Sequence, residues 1–457
     1  MRIGKVIKMQ NVLKSPFLLF SPFLLLSILI ILLFRKGVLI GDEDKYLHFA
    51  QNLLHGFYSL PAPNIYIGVG PGYPIVIVPF LLLKLPLISI ALVNAIFYYL
   101  SIVFLFKALQ QIVSMRLSLF ASLFLAFYYN SYENFILIAP ETITLFLISL
   151  LSYLIVLSFD ENNKKSKKYI FLAGLILGYI ALTKIIFGYV ILFMLCGNIV
   201  LWLFNRSYDN YRKGIFILLI GFASTIPYLL YTYNLTGKIF YWGTTAGNNM
   251  YWMSTPYNEE YGSWSEFLQL KTDTVLRCKS NFEFRQDEHQ DIKTGHNTIP
   301  GVKDFIISNH RKDYKEFVKY SGVEQDDAFR RKAIENIKSH PIKYAQNLFS
   351  NFGRMIFNYP YSYTLQKPKN LLRLPLNGIL ILFLLISLIP AFINWKRVLF
   401  PLRFIIFIFY LYIGGSLTGS AETRMFTVIV PFLLLWISYF IEKTVIIKLR
   451  FNEKDTI

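Results

Sequence analysis

Charge is scarce in this chain: Asp, Glu, Lys and Arg make up 16% of its 457 residues, against roughly 25% in an ordinary soluble domain. Cysteine is nearly absent, with two residues in all, which excludes a disulfide-stapled secreted scaffold. Cys196 sits inside an apolar run and Cys278 in a hydrophilic stretch, so neither a disulfide nor a zinc-type pair is predicted. The six histidines show no HExxH or comparable spacing, and His289 and His296 read as exposed loop residues, which seldom hold a metal. No Gly-rich dinucleotide fingerprint is present. Apolar residues, at 55%, exclude disorder and a cytosolic enzyme. They collect in unbroken runs such as SPFLLFSPFLLLSILIILLF at 15–34 and PLNGILILFLLISLIPAFI at 375–393, each about as long as a bilayer core is thick. An integral membrane protein with several helices is the class that remains.

The formal charge of +19 would suggest nucleic acid in a soluble protein, but the positions of the charges argue otherwise. The one long hydrophilic stretch, 234–370, holds 19 basic and 15 acidic residues, leaving +15 elsewhere. Of the 27 basic residues outside it, 20 lie in clusters between apolar runs, among them Lys164, Lys165, Lys167 and Lys168. If those clusters are cytoplasmic, the runs alternate without contradiction and both termini are cytoplasmic. The basicity orients the chain in a membrane.

About ten spans are predicted: 16–34, 88–107, 117–130, 141–159, 169–184, 186–204, 214–233, 373–394, 398–417 and 424–442. The first is read as a retained span rather than a cleaved signal. Prolines at 74, 79 and 86 break the stretch 71–106, and 72–85 reads as a short helix on the outer interface. The run 169–204 is short for two spans, which predicts a tight hairpin around Lys184. The organisation expected is mainly α: a polytopic helix bundle with outer interfacial helices and one extracytoplasmic soluble domain. Its parts are a catalytic membrane module, 1–233, with a first outer loop at 35–87; the outer domain, 234–370; and terminal spans with a cytoplasmic tail, 371–457.

In the first outer loop, Tyr46, Phe49, Ala50, Leu53, Leu54 and Phe57 recur at helical spacing. They predict an amphipathic helix with its apolar stripe in lipid. Asp42, Glu43 and Asp44 stand at its start. Asp is a favoured N-cap and suits a first turn, so capping is one reading of Asp42. The other is a carboxylate held at the bundle mouth to accept a proton from a substrate hydroxyl. The remaining acids expected on that face are Glu133, Glu141 and Glu422; the cations are Lys84, Lys184 and Arg424. Ionisable groups at such depth are costly unless they serve a site or pathway. Carboxylates and cations together at one end suit an anionic lipid substrate, with headgroup snorkelling as the plainer reading of the cations.

The strings GDEDKYLHFAQNLLHGFYS, GPGYPIVIVPFLLLKL, APETITLFLISLL, FLAGLILGYIALTK and AETRMFTVIVPFLLL, in this order, resemble the GT-C superfamily of multispanning glycosyltransferases. The likeness is to the branch holding protein O-mannosyltransferases and lipid A aminoarabinose transferases. The match to the first-loop motif rests on Asp42, Glu43, Tyr46, Ala50 and Gly56. The middle of the outer domain, about 258–325, matches nothing in the pattern, so acceptor recognition is unassigned. The resemblance implies transfer of a sugar from a polyprenyl-phosphate donor to an acceptor hydroxyl of a lipid, glycan or protein, on the extracytoplasmic face of a cell membrane. It implies Asp42, Glu43 and Glu141 as catalytic acids and Lys184, Arg424 and Lys84 as donor-phosphate contacts. Tyr46, Tyr73 and Glu422 are implied as acceptor or sugar contacts. No metal ligand is assigned and nucleic acid is not expected as a partner; a divalent ion beside the carboxylates is left open. A transporter or flippase of a lipid-linked saccharide is the alternative, though repeated halves and matching broken spans are not seen. An assembly subunit is the third.

Overall fold

Backbone in hydrocarbon must close its own hydrogen bonds, and apolar runs do so as helices. The computed structural model describes residues 15–204, 208–264, 302–362 and 368–444, and among them there is no strand. In chain order the helices are α1 (Pro16–Phe34), α2 (Glu43–Leu54), α3 (Gly72–Leu82), α4 (Leu87–Leu109), α5 (Met115–Ala126), α6 (Tyr129–Phe135), α7 (Glu141–Ser158), α8 (Ser166–Thr183), α9 (Ile186–Phe204) and α10 (Tyr208–Thr236). There follow α11 (Ala246–Met253), α12 (Val302–Phe317), α13 (Gly322–Ser339), α14 (Pro341–Phe357), α15 (Arg373–Ile393), α16 (Phe400–Leu417), α17 (Thr423–Thr427) and α18 (Val430–Thr444). Cys278, His289 and His296 lie outside the described residues.

Eight of the described helices are long and apolar enough to cross a membrane: α1, α4, α7, α8, α9, α10, α15 and α16. The other two expected spans are shorter than read. The run 117–130 divides into α5 and α6, because Tyr128 is extended and its phenol reaches Asn377 Oδ1 at 2.5 Å. The run 424–442 divides into α17 and α18 at Val428–Ile429, where Pro431 lacks a backbone donor. The hairpin at Lys184 is two residues long, Lys184–Ile185, between α8 and α9.

α7 is the central helix, with 83% of its span buried against 17% for α1. It packs on α4, α8, α16, α17 and α18. Three of its buried hydroxyls bond back along the helix, Thr144 to Pro140 O at 2.6 Å, Ser152 to Ile148 O at 2.8 Å and Ser158 to Leu154 O at 2.7 Å, whereas those of Thr142 and Ser149 are buried with no partner. α8 and α10 touch backbone to backbone. A Cβ on Gly178 would stand 1.7 Å from Ser224 Oγ and 2.6 Å from Gly221 O, the small-residue packing used where lipid gives helices no hydrophobic drive. Gly72 brings the start of α3 equally close to the end of α8, where a Cβ would meet Thr183 Oγ1 at 2.4 Å.

The apolar stripe of α2 does not face lipid, contrary to the reading of its periodicity. Tyr46, Phe49 and Ala50 are buried, because the segment that follows folds back and supplies aromatic partners. Phe49 stacks on Tyr58 and Tyr66 at 4.6 and 5.6 Å, and Tyr46 meets Tyr73 edge-on at 5.3 Å. Beyond the bundle, α11, α12 and α13 gather a separate small core of Tyr251, Trp252, Tyr314, Phe317 and Phe329.

Candidate active site

One end of the bundle collects the loop before α2, the N-terminus of α7, the C-terminus of α8 and the start of α17. Asp42 occupies the N-cap position of α2, yet its side chain does not cap. The carboxylate turns away instead. Oδ1 accepts from Lys45 Nζ at 2.9 Å and Oδ2 from Arg424 Nη2 at 2.8 Å. Arg424 Nε lies 2.8 Å from Glu422 Oε2 and 3.9 Å from Glu141 Oε1; the first contact is an ion pair without hydrogen-bond geometry, so that N–H has no acceptor. Lys184 Nζ donates to Glu141 Oε1 at 2.6 Å. Three carboxylates and three cations thus form one branched chain of contacts: Arg424 meets Asp42, Glu422 and Glu141, with Lys45 on Asp42 and Lys184 on Glu141.

Burial within the chain is graded. Glu141 is sealed, at 1% exposure, whereas Asp42 and Arg424 keep about 30%. Burial would raise the Asp42 carboxyl, but Arg424 and then Lys45 outweigh it and hold the group far below the ordinary aspartate range. For Tyr46, burial first and the negative Glu141 second push the phenol well above its usual value, so it stays a neutral hydroxyl. The Tyr73 hydroxyl is buried with no hydrogen bond, and its charged neighbours are Glu141, Glu43 and Arg35.

Two predicted residues stand apart from this chain. Glu43 is fully committed: Oε1 accepts from Arg35 Nη1 at 2.8 Å and Ile138 N at 2.7 Å, and Oε2 accepts from Ile40 N at 2.9 Å. With 1% exposure and no free lone pair aimed outward, it is a clamp joining the first loop to the segment before α7, not a reactive acid. Lys84 is exposed at the turn between α3 and α4 with φ 53°, and no ion pair joins it to the cluster. Glu133 belongs to another network, on Arg373 and Tyr129. Lys184 has no acidic neighbour in the sequence around it; its partner, Glu141, comes from 43 positions away.

Sequence reasoning passed over Lys45, Arg35, Asn351 and Arg354. Lys45 was legible as an i,i+3 partner of Asp42. Asn351 and Arg354 were legible only as a polar stripe on α14. Asn351 Nδ2 donates to Leu417 O at 3.0 Å and Gly419 O at 2.5 Å, and its Oδ1 accepts from Ala421 N and Arg354 Nη2, both at 2.8 Å. The two residues fix the segment that carries Glu422 and Arg424. Burial, partly opposed by Tyr361 and Glu422, pulls Arg354 down to about 10. Among the described residues, no three His, Cys, Asp or Glu side chains converge as metal ligands.

No family model matches the chain, and no curated protein matches it in sequence. Among solved structures it is similar to the oligosaccharyltransferase of Archaeoglobus fulgidus, solved tethered to an acceptor peptide containing the NVT sequon, with a TM-score of 0.46 and 12% identity over 92% of this chain and 49% of that one. It is also similar to ArnT from Cupriavidus metallidurans, solved bound to undecaprenyl phosphate, with a TM-score of 0.41 and 12% identity over 93% of this chain and 77% of that one. The chain spans about half the length of the Archaeoglobus protein.

Proposed function

We propose that the chain is a membrane glycosyltransferase of the GT-C type. It would move a sugar from a polyprenyl phosphate to an acceptor hydroxyl on the extracytoplasmic face. The observation that carries the reading is the carboxylate of Asp42, turned from its cap onto a partly exposed arginine whose other contacts are carboxylates. A structural cap would need none of this.

The charge balance suggests the order of events. In the resting site Asp42 is held too acidic to be an effective base. A donor phosphate that takes Arg424 would withdraw the chief opposing charge from Asp42, and the burial that remains would raise its basicity when the acceptor arrives. The acceptor oxygen then bonds to the anomeric carbon and its proton passes to Asp42. The bond between that carbon and the phosphate oxygen breaks. The charge on the departing polyprenyl phosphate is met by Arg424, with Lys184 behind it, in a site where such donors act with little reorganisation. Glu141 holds both cations in place, and Tyr46 and Tyr73 offer neutral hydroxyls to the sugar.

The test is turnover of the purified full chain with a panel of synthetic polyprenyl-phosphate sugars against lipid, peptide and glycan acceptors. Transfer from one donor supports the reading; no transfer, with no binding of polyprenyl phosphate, overturns it. The proposed side of the membrane is tested separately with an impermeant thiol reagent. Cysteine at Asn162 should be shielded in intact cells and cysteine at Lys338 labelled; the reverse pattern inverts the topology.

A further inference from the structure

α14 is amphipathic with its faces reversed. Asn347, Asn351 and Arg354, at spacing i, i+4 and i+7, form one face, and all three are fully buried. Asn347 donates to Met253 O at 3.1 Å and Thr255 O at 3.0 Å. Arg354 Nη1 donates to Tyr261 O at 2.7 Å and Pro360 O at 3.0 Å. The opposite face carries Ile342, Ala345, Phe349 and Phe352 and no charge. Phe349 is 80% exposed and Ile342 76%. In water a helix with an amide-and-guanidinium face and an aromatic face would bury the second, not the first.

The surroundings say what covers the aromatic face. Asn377, in the second turn of α15, donates to Ile356 O, so the last turn of α14 is tied to a membrane-crossing helix near its start. α15 offers the protein a single seam of Asn377, Leu380, Leu384 and Ser387, while Leu371, Leu372, Leu374 and Leu382 around it are exposed. α14 packs on both α15 and α16, so the helix that carries the bare face stands against two membrane-crossing helices. At the far end, Lys343 turns back to Asn258 O and Glu260 O and leaves the apolar stripe without a charge.

We propose that the Ile342–Phe352 face of α14 lies in membrane lipid, at the surface where α15 enters. Held there, α14 is an interfacial anchor, and its inner face clamps the segment 417–421. The inference rests on the membrane-crossing helices alone and stands whether or not the transferase reading does.

The experiment places a nitroxide on a single cysteine at Phe349, and separately at Ile342, in the full chain with Cys196→Ser and Cys278→Ser, reconstituted in liposomes. Collision rates with oxygen and with a water-soluble nickel chelate are compared. The oxygen-to-nickel ratio at both sites should match that at Leu374, exposed at the start of α15, and exceed several-fold that at Lys338, an exposed control on α13. A nickel-rich signal puts the face in water and overturns the proposal. Shielding from both probes means that a partner protein or a second copy covers it, and overturns it too.

Discussion

Two of the clusters of ionisable groups among the described residues are built on opposite principles. At the bundle mouth, Asp42, Arg424 and Glu422 are part-exposed, and their side-chain contacts are with charged groups: one another, Lys45 and Glu141. Beside α12 and α13, Glu260 and His310 are each about 1% exposed, and Glu260 accepts from His310 Nε2 at 3.0 Å, from Asn309 Nδ2 at 2.9 Å and from Thr255 Oγ1 at 2.5 Å. Tyr251 links His310 to Asp313 at 2.7 and 2.9 Å, and aromatic rings close the cluster. Every acceptor in the second cluster is spoken for, so a ligand could enter only by breaking it. In the first, charge contacts charge where solvent still reaches, and exchange of one partner for a phosphate leaves the rest intact. Ionisable residues in proximity do not mark a site; exchangeable partners do.

The comparison can be broken most decisively at Asp42. The Asp42 side chain does not cap α2, and its two ion pairs are part-exposed and so weak in stability; Asp42→Asn should therefore move thermal melting little while turnover falls by roughly 1,000-fold, within the range of a lost general base. Wild-type turnover would make the two clusters equivalent. Next, Arg424→Ala should lower kcat about 100-fold, the usual cost of one preorganised donor, measured with the synthetic donor. Within the same cluster, Lys184→Met leaves Glu141 buried without its nearest cation and should also destabilise the bundle by about 3 kcal/mol, read as a drop in melting temperature. In the closed cluster the effects should separate the other way. Glu260→Gln should cost about 2 kcal/mol of stability with turnover per folded molecule unchanged.

The smallest effects are shifts with pH. Burial raises Glu260, but His310, Thr255 and Asn309 outweigh it and keep the carboxyl below the usual glutamate range. A group depressed in the folded state stabilises above its unfolded value, so this contribution is complete at neutral pH and fades as pH falls below about 4. Melting temperature should decline there in the wild type and less in Glu260→Gln. In Arg424→Ala, burial acts on Asp42 with only Lys45 opposing, so the acid limb of residual kcat/KM should move to higher pH. An unmoved limb would remove Asp42 from the proton transfer.

Much of the fold was legible because membrane spans are written locally, in runs of one residue type, and their ends in charge. The hairpin at Lys184 and the helix starting at Glu43 follow from local spacing in the same way. The partners of α2 were not legible, since the periodicity gives a helix an apolar face without saying whether protein or lipid meets it. Asp42 was found from its place before a helix, but its pairing with Arg424 spans 382 positions, and no local rule reaches that far. Glu43 misled for the same reason: adjacent acids look alike in a sequence, and only the fold turned one onto Arg35 and the other onto Arg424.

The backbone contact of α8 with α10 at Gly178 has a mechanical side. Two helices packed this closely, with Ser224 and Ile220 of one against the glycines of the other, resist sliding and tilting separately, so they form the fixed jaw of a vise, with Lys184 at its edge and Glu141 of α7 paired to it. Arg424 belongs to the other jaw, because the segment it follows hangs from α14 by three hydrogen bonds of a single side chain, Asn351. A chemical cross-link between α8 and α10 should therefore leave turnover untouched, whereas one that staples residue 351 to residue 419 should stall it. Opening and closing of the site would be borne by the short stretch 418–423, and the membrane helices beneath could stay still.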